Sequence, residues 1–466
     1  MLTPEQLREL EAAVGAASLI LDGRREAYAA DELKVPHLPD VVVEPERVEQ
    51  IQELLRWANR HLIPVTPRGA GTGLSGGALA TRGGVILSMS RFNRILELDP
   101  LNRFAVVEPG VLNLALQEAA GQHGLFYPPD PASWESCSLG GNVAEDAGGP
   151  RCVKYGVTRN YVLQLEAVLP SGEWISCGTR TRKGVVGYSL RDLLIGSEGT
   201  LAVLTKLVLR LVPRPRCTHT LLALLPDTAT AARLAGRIQL AGLTPSALEF
   251  MDERALELVR ERLPLRLPAE CRTVLLLESD GEPEPAEREA QRLGELCLAE
   301  GALDVLSAEG GEKRERLWDV RRRLSTTTRE LFAQKLSEDI AVPLDRLAEC
   351  LAECHRLGAA AGLNLLAYGH LGDGNLHVNV LSTESGAEVR ARMWALVEDV
   401  YRLALRLGGT ISAEHGVGCW KQPYIGWELS PLSQRLQMDV KRLFDPHNIL
   451  NPGKIFDWPT TKETAI

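Results

Sequence analysis

Two histidines, His370 and His377, and the adjacent pair Glu414 and His415 are the residues whose type and spacing point most directly to chemistry. They lie in AYGHLGDGNLHVNV (367–380) and SAEHGVG (412–418). Asp373-Gly374 between two strand-like runs is a hairpin signal, because a two-residue turn needs positive φ at its centre. Pairing outward from that turn sets 372 opposite 375, 371 opposite 376 and 370 opposite 377, so His370 and His377 are expected to face each other on one side of a sheet. Such a pair suits a divalent metal, although a cross-strand histidine pair can equally be structural. Glu414 is the candidate third ligand. Two histidines and a carboxylate leave coordination positions open for a substrate, as catalytic zinc and manganese sites require, and the same set would suit non-haem iron.

The glycine-rich stretches form a second group. PRGAGTGLSGG (67–77) contains a formal GxGxxG at Gly71, Gly73 and Gly76. A Rossmann fingerprint needs its last glycine to open a helix, whereas ALATRGGVILSM reads as a turn and then a strand, so that reading fails. No Lys-Ser or Lys-Thr follows, so a Walker loop fails as well. What remains is a loop after a strand, flanked by Arg68, which can aim backbone N–H groups at a pyrophosphate or can simply be a tight turn. YPPDPASWESCSLGGNVAEDAGGPRCVKYG (127–156) is too long and too rich in Gly and Pro for a passive connector.

With LIGSEGTLAVL (194–204), these segments resemble the FAD-linked oxidases and dehydrogenases of the vanillyl-alcohol-oxidase type. The similarity is to the branch of glycolate oxidase, D-lactate dehydrogenase and D-2-hydroxyglutarate dehydrogenase, and it covers nearly the whole chain. The resemblance implies that the first loop and the GGN segment wrap the cofactor through Arg68, Gly69, Ala70, Gly71, Thr72, Gly73, Leu74, Asp130, Ser136, Gly140, Gly141, Asn142, Ala144, Gly148 and Gly149. It places Glu198 and Gly199 near the adenine end, counts Val203 among the cofactor contacts, and puts Asn451 of DPHNILNPGK (445–454) near the flavin. Some relatives attach FAD through a histidine, but none occurs within 68–78 or 127–156, so non-covalent FAD is expected. Asp146 stands where many relatives have Asn, and Ala202 where glycine is usual.

The resemblance also implies that His370, His377 and Glu414 hold zinc or manganese and that His415 transfers a proton. A metal-bound α-hydroxyl loses its proton more readily, and a neutral imidazole accepts one near pH 7. LWDVRRRLSTTTREL (317–331) reads by itself as a basic, solvated helix face. The resemblance singles out Arg321 as the clamp on the substrate carboxylate, where a guanidinium can pair in bidentate fashion. Ser325, one helical turn on, is a second substrate contact, and Asn379 is a third. In the 2-hydroxyglutarate enzymes a lysine two residues before an aspartate binds the distal carboxylate. Here the aspartate is Asp339 and that position holds Ser337, with Lys335 out of register. The expected reaction is oxidation of a small D-2-hydroxy acid to the 2-oxo acid, with D-lactate or glycolate favoured over D-2-hydroxyglutarate. One alternative is the FAD-binding subunit of a multi-subunit glycolate oxidase. Another is a metal-dependent hydrolase, which would be colourless where a flavoprotein is yellow. The electron acceptor is left open among a quinone, a cytochrome, an electron-transfer flavoprotein and an iron–sulfur subunit.

These residues need elements to position them, and the apolar periodicity supplies those elements. VVVEP (41–45) and IPVTPRG (63–69) read as strands around a helix at 46–61, a βαβ opening. Further strand-like runs fall at 84–89, 104–108, 162–169 and 201–212. After the proline-bearing linker 212–217, strands alternate with helices at 227–241, 283–300, 312–333 and 344–361. The fold class is α+β: a two-part FAD-binding domain (1–215), an α/β substrate or cap domain (216–407) and a C-terminal segment (408–466) packing back on the first. A net charge of −9 without a basic stripe argues against nucleic-acid binding. The N-terminus lacks the pattern of a signal peptide, and no run is apolar enough to span a membrane. Nine scattered cysteines read as reduced thiols. A cytoplasmic protein is expected, with peripheral membrane association left open.

Overall fold

A computed structural model describes residues 1–309 and 311–457, with the side chains of Ser325 and Thr326 outside the described set. The chain divides into two compact units. The first comprises Met1–Gly148, Val157–Pro213 and Glu414–Ile466, and the second Gly149–Gly156 and Arg214–Ala413.

The first unit opens with helix Pro4–Val14. Its N-cap Thr3 accepts from Gln6 N–H while the Gln6 side chain returns to Thr3, the reciprocal box that its sequence signals. Strands Val41–Val43 and Val65–Arg68 flank the helix Val48–His61, as expected. They do not pair with each other. Both run parallel to Val85–Ser88, which lies between them. That third strand is buried at all four positions, and a strand covered on both faces belongs in the middle of a parallel sheet. Ile51, Leu54, Leu55, Trp57 and Ala58 pack from the helix onto the valines of this sheet, in one cluster with Ile449 and Leu450. A five-stranded antiparallel sheet completes the unit, in the order Ile95–Asp99, Phe104–Val107, Val203–Arg210, Val162–Val168, Trp174–Gly178.

The C-terminal segment is fastened inside this unit. The buried ammonium of Lys441 donates to Thr200 O and Leu450 O, each at 2.8 Å, and pairs with Asp445. The Asp445 carboxylate in turn accepts from the N–H groups of Ile449 and Leu450 at 3.1 and 2.8 Å. A buried ion pair is tolerable only when its remaining polar atoms are satisfied, as these are.

The second unit is one seven-stranded antiparallel sheet with helices. Its order is Asp304–Glu309, Cys217–Leu225, Thr273–Gly281, Ala247–Met251, Asn364–His370, Asn375–Ser382, Gln334–Ala341. The hairpin of the last-but-one pair differs from the expected register: Tyr368, not His370, stands opposite His377, and His370 stands opposite Glu249 on the other neighbouring strand. The turn is longer than a two-residue one, because Leu371–Asp373 coil into a single 3-10 turn before Gly374 at φ 74°. The slip is two residues, which preserves the face a side chain points to.

Candidate active site

In the second unit the expected histidines do meet. His370 Nε2 and His377 Nε2 lie 3.3 Å apart, and both rings are almost fully buried. The two-residue slip makes them diagonal neighbours on one face, and their rings meet edge to face at 5.0 Å. Two nitrogens bound at about 2.0–2.1 Å to a tetrahedral ion stand about 3.3–3.4 Å apart, so this separation fits a shared cation.

The other ring nitrogen of His370 is hydrogen-bonded to the carboxylate of Glu249. A carboxylate behind a ligating histidine fixes the tautomer and aims the far nitrogen outward. Glu249 was not singled out from the sequence. The signal was there, since it is the one charged residue in the otherwise apolar buried strand ALEFM (247–251). Its second oxygen accepts from Arg321 Nε at 3.2 Å, so a single buried carboxylate orients both the histidine and the arginine. The Arg321 guanidinium also stacks over the ring of Tyr368 at 4.2 Å.

Asp339 stands opposite His377 on the strand Gln334–Ala341, with its carboxylate 3.8 Å from His377 Nδ1. Its other oxygen accepts the N–H of Ala413 at 2.8 Å. Asn379 is fully buried and donates from Nδ2 to His377 O at 3.1 Å. Burial alone would push the Tyr368 hydroxyl up, but Lys335 and Arg321, with hydrogen bonds to Asn379 and Ser337, hold it below the usual tyrosine range. Ser325 lies outside the described side chains. His377 and Asp339 are possible metal-ligating groups of this unit, whereas Glu414 and His415 belong to the first.

The first unit holds an open cleft. Of the residues expected to cradle the cofactor, Arg68, Gly69, Gly140, Gly141, Ala144, Glu198, Gly199 and Val203 line it. Glycine stands at five of the lining positions, 69, 77, 140, 141 and 199, where the backbone itself forms the wall. Ser138 ties two of those walls together: its hydroxyl caps the helix Leu139–Glu145 by accepting from Gly141 N–H, and it also accepts from Ala70 N–H, both at 3.3 Å. Asn451 stands behind the cleft, donating to Gly77 O at 2.9 Å and Glu198 O at 2.7 Å. Among the other expected contacts, Gly71, Thr72, Gly73, Leu74, Asp130, Ser136, Asn142 and Gly148 do not line the cleft, and Gly149 falls in the stretch that packs with the second unit.

Two carboxyl groups meet in the cleft wall, and one of them, Glu145, was not anticipated. Burial and then the neighbouring Glu198 drive the Glu145 carboxyl well above its ordinary value. Burial raises Glu198 too, opposed by the N–H groups of Val417 and Gly418. Both shifts run in the same direction, because two buried carboxyl groups side by side resist double ionisation.

The chain is similar to known proteins along nearly its whole length. Residues 39–178 match the family model described as FAD binding domain, and 214–455 match FAD linked oxidases, C-terminal domain. It is 38% identical over 419 residues to glycolate oxidase subunit GlcD of Bacillus subtilis, covering 90% of this chain and 89% of that one. It is 40% identical over 439 residues to D-lactate dehydrogenase of Archaeoglobus fulgidus, covering 92% and 95%. D-2-hydroxyglutarate dehydrogenase of Stutzerimonas stutzeri is 33% identical over 468 residues, covering 98% and 100%. Among solved structures, p-cresol methylhydroxylase with substrate bound superposes with a TM-score of 0.81 over 97% of this chain and 96% of that one, at 17% identity, which establishes a shared fold. With both of its parts matched and its whole-length relatives drawn from one group, the chain belongs to the FAD-linked oxidase family that contains the glycolate oxidase protein GlcD, D-lactate dehydrogenase and D-2-hydroxyglutarate dehydrogenase.

Proposed function

We propose that the protein oxidises a small D-2-hydroxy acid to the 2-oxo acid, with FAD held non-covalently in the glycine-walled cleft and zinc or manganese at the histidine pair. The observation that carries this reading is the 3.3 Å approach of His370 Nε2 to His377 Nε2, with Glu249 holding both His370 and Arg321 behind it. Bound FAD supplies a two-electron acceptor, and a bound divalent ion supplies Lewis acidity at the substrate hydroxyl. The protein's own groups do the rest. Arg321 binds the substrate carboxylate through the guanidinium edge that Glu249 leaves open, and stacking on Tyr368 restricts its plane.

Glu414 follows Ala413 directly, and the Ala413 N–H is bonded to Asp339, the residue opposite His377. We take Glu414 as a further ligand on that basis, with Asp339 available beside it. His415 accepts the proton of the α-hydroxyl. Asn379 and Ser325 complete the substrate contacts.

The relatives' names span glycolate, D-lactate and D-2-hydroxyglutarate. Ser337 faces Asn379 where a lysine would serve a distal carboxylate, and this favours a monocarboxylate. The name of the Bacillus subtilis relative also admits a role as the FAD-binding subunit of a larger oxidase. Among the described residues no helix is long and apolar enough to cross a membrane. The electron acceptor is proposed only as a class: a quinone, a cytochrome, an electron-transfer flavoprotein or an iron–sulfur subunit.

The test is anaerobic bleaching of the flavin absorbance by a panel of D- and L-2-hydroxy acids, with and without chelator and with zinc or manganese restored. Reduction by D-lactate or glycolate, lost on chelation, is expected, and His377→Ala should keep the flavin and lose the reduction. Failure of every 2-hydroxy acid with metal present would refute the reading. Loss of flavin in His377→Ala would make the histidine pair structural.

A further inference from the structure

The segment Glu414–Cys419 belongs to the first unit, and its attachment there is unusual. The Glu198 side chain is buried, and its two carboxylate oxygens accept the N–H groups of Val417 and Gly418 at 2.7 and 2.6 Å. Successive backbone N–H groups pointing to one spot form an anion-binding concavity, and here the anion is supplied by the protein itself. Glu198 is in turn held rigidly. Its φ is 52°, its N–H donates to Ala144 O at 2.8 Å, and its carbonyl accepts from Asn451 at 2.7 Å.

The first glycine loop grips the same turn, since Ser75 O accepts from Cys419 N–H at 3.0 Å. The fit excludes side chains. At Gly416 (φ 81°) a Cβ would lie 2.0 Å from Glu145 Oε2, and at Gly418 (φ 53°) one would lie 1.9 Å from Ser75 O. The two glycines of EHGVG are therefore required by close approach to the segments that wall the flavin cleft.

We infer that Glu198 is a positioning residue, whose carboxylate pins the Glu414–His415 step against the wall of the flavin cleft instead of contacting the cofactor with its own side chain. The inference rests on the proposed role of His415 as the proton acceptor. It assigns to the SEG and EHG motifs a single joint task, that of holding an acid–base group at a set distance from the cofactor loops.

Glu198→Gln keeps the side chain's size and one acceptor but turns a donor toward one of the two amides. Three measurements on the flavin-loaded protein test the inference. Hydrogen exchange at Val417 and Gly418 should be slow in the wild type and at least about tenfold faster in the variant, with the rest of the chain unchanged. Flavin content should match the wild type. With D-lactate, kcat should fall about 100-fold with little change in KM, the size expected for a catalytic group displaced by about 1 Å. The acid limb of the kcat–pH profile should also move, which a loss of general stability would not cause.

Unprotected amides at 417 and 418 in the wild type would overturn the inference even if the variant does not fold. So would loss of flavin with unchanged exchange, which would make Glu198 a cofactor ligand, and so would faster exchange with unaltered kcat. If no 2-hydroxy acid reduces the wild type, the proposed function fails and the catalytic part of the inference with it, while the exchange data still decide whether the tether exists.

Discussion

Glu249→Gln should weaken divalent-metal binding without preventing folding. In the native protein one oxygen of this buried carboxylate receives His370 Nδ1–H and the other receives Arg321 Nε–H. A glutamine offers one acceptor and one donor. If its oxygen stays on the imidazole, its NH2 opposes the arginine N–H, so a charge-assisted bond of about 1.5–3 kcal/mol is lost. If it turns to the arginine, His370 loses the partner that fixes its tautomer, and carboxylates in that position typically account for about 10–100-fold in metal affinity. In either orientation a neutral amide replaces the carboxylate behind His370, and 10–100-fold corresponds to about 1.4–2.7 kcal/mol. Competitive zinc titration against a chromophoric chelator measures the effect. Glu278→Gln is the matched control, since Glu278 is equally buried and accepts from Arg314, Trp318 and Thr220 without touching a histidine. Both variants should melt at lower temperature, but only Glu249→Gln should lose affinity. Zinc affinity within about twofold of wild type in Glu249→Gln, or equal losses in both variants, would refute the reasoning.

Three further outcomes follow from the first unit. Ser138→Ala removes the hydroxyl that caps one helix and receives Ala70 N–H, and should cost about 1 kcal/mol in denaturant unfolding while raising the dissociation constant of FAD. Glu145→Gln should remove a pH dependence. A carboxyl raised in the folded state binds more protons folded than unfolded, so its contribution is fullest below about pH 4.3 and is lost as pH rises toward the folded value. The stability of the wild type relative to this variant, from urea melts of the apoprotein, should therefore decline as pH rises from 4 to neutrality, in the ~4–7 window. Asp445→Ala strands the buried Lys441 ammonium and frees two N–H groups, so a loss of about 3–5 kcal/mol is expected. An unfolding midpoint unchanged by that substitution would show that the C-terminal anchor contributes nothing to the unit.

Much of the site was legible because its signals are local. Asp373-Gly374 announced a hairpin, and a face is a matter of parity, so His370 and His377 were correctly placed on one side even though the turn has a different length. The register itself was not legible, since nothing in the turn's four residues distinguishes a two-residue loop from a 3-10 turn. Glu249 is 121 positions from the histidine it supports, and only the pairing of Ala247–Met251 with Asn364–His370 brings them together. Glu145 was overlooked because a lone glutamate in a glycine-rich segment carries no periodic signal. Its perturbation comes from burial beside Glu198, a fact of packing.

The sequence by itself determined the cofactor class, through three ordered glycine motifs, and the residue types of the proposed metal and acid–base centre. Those are properties of short segments whose backbone needs show in composition. Tertiary structure alone decided what each polar side chain is bonded to. Glu198 is one carboxylate among many in the sequence, and its task became visible only when chain segments more than two hundred residues apart turned two N–H groups onto its oxygens. Hydrogen bonds act over about 3 Å, whereas sequence patterns report only which face of an element a residue occupies.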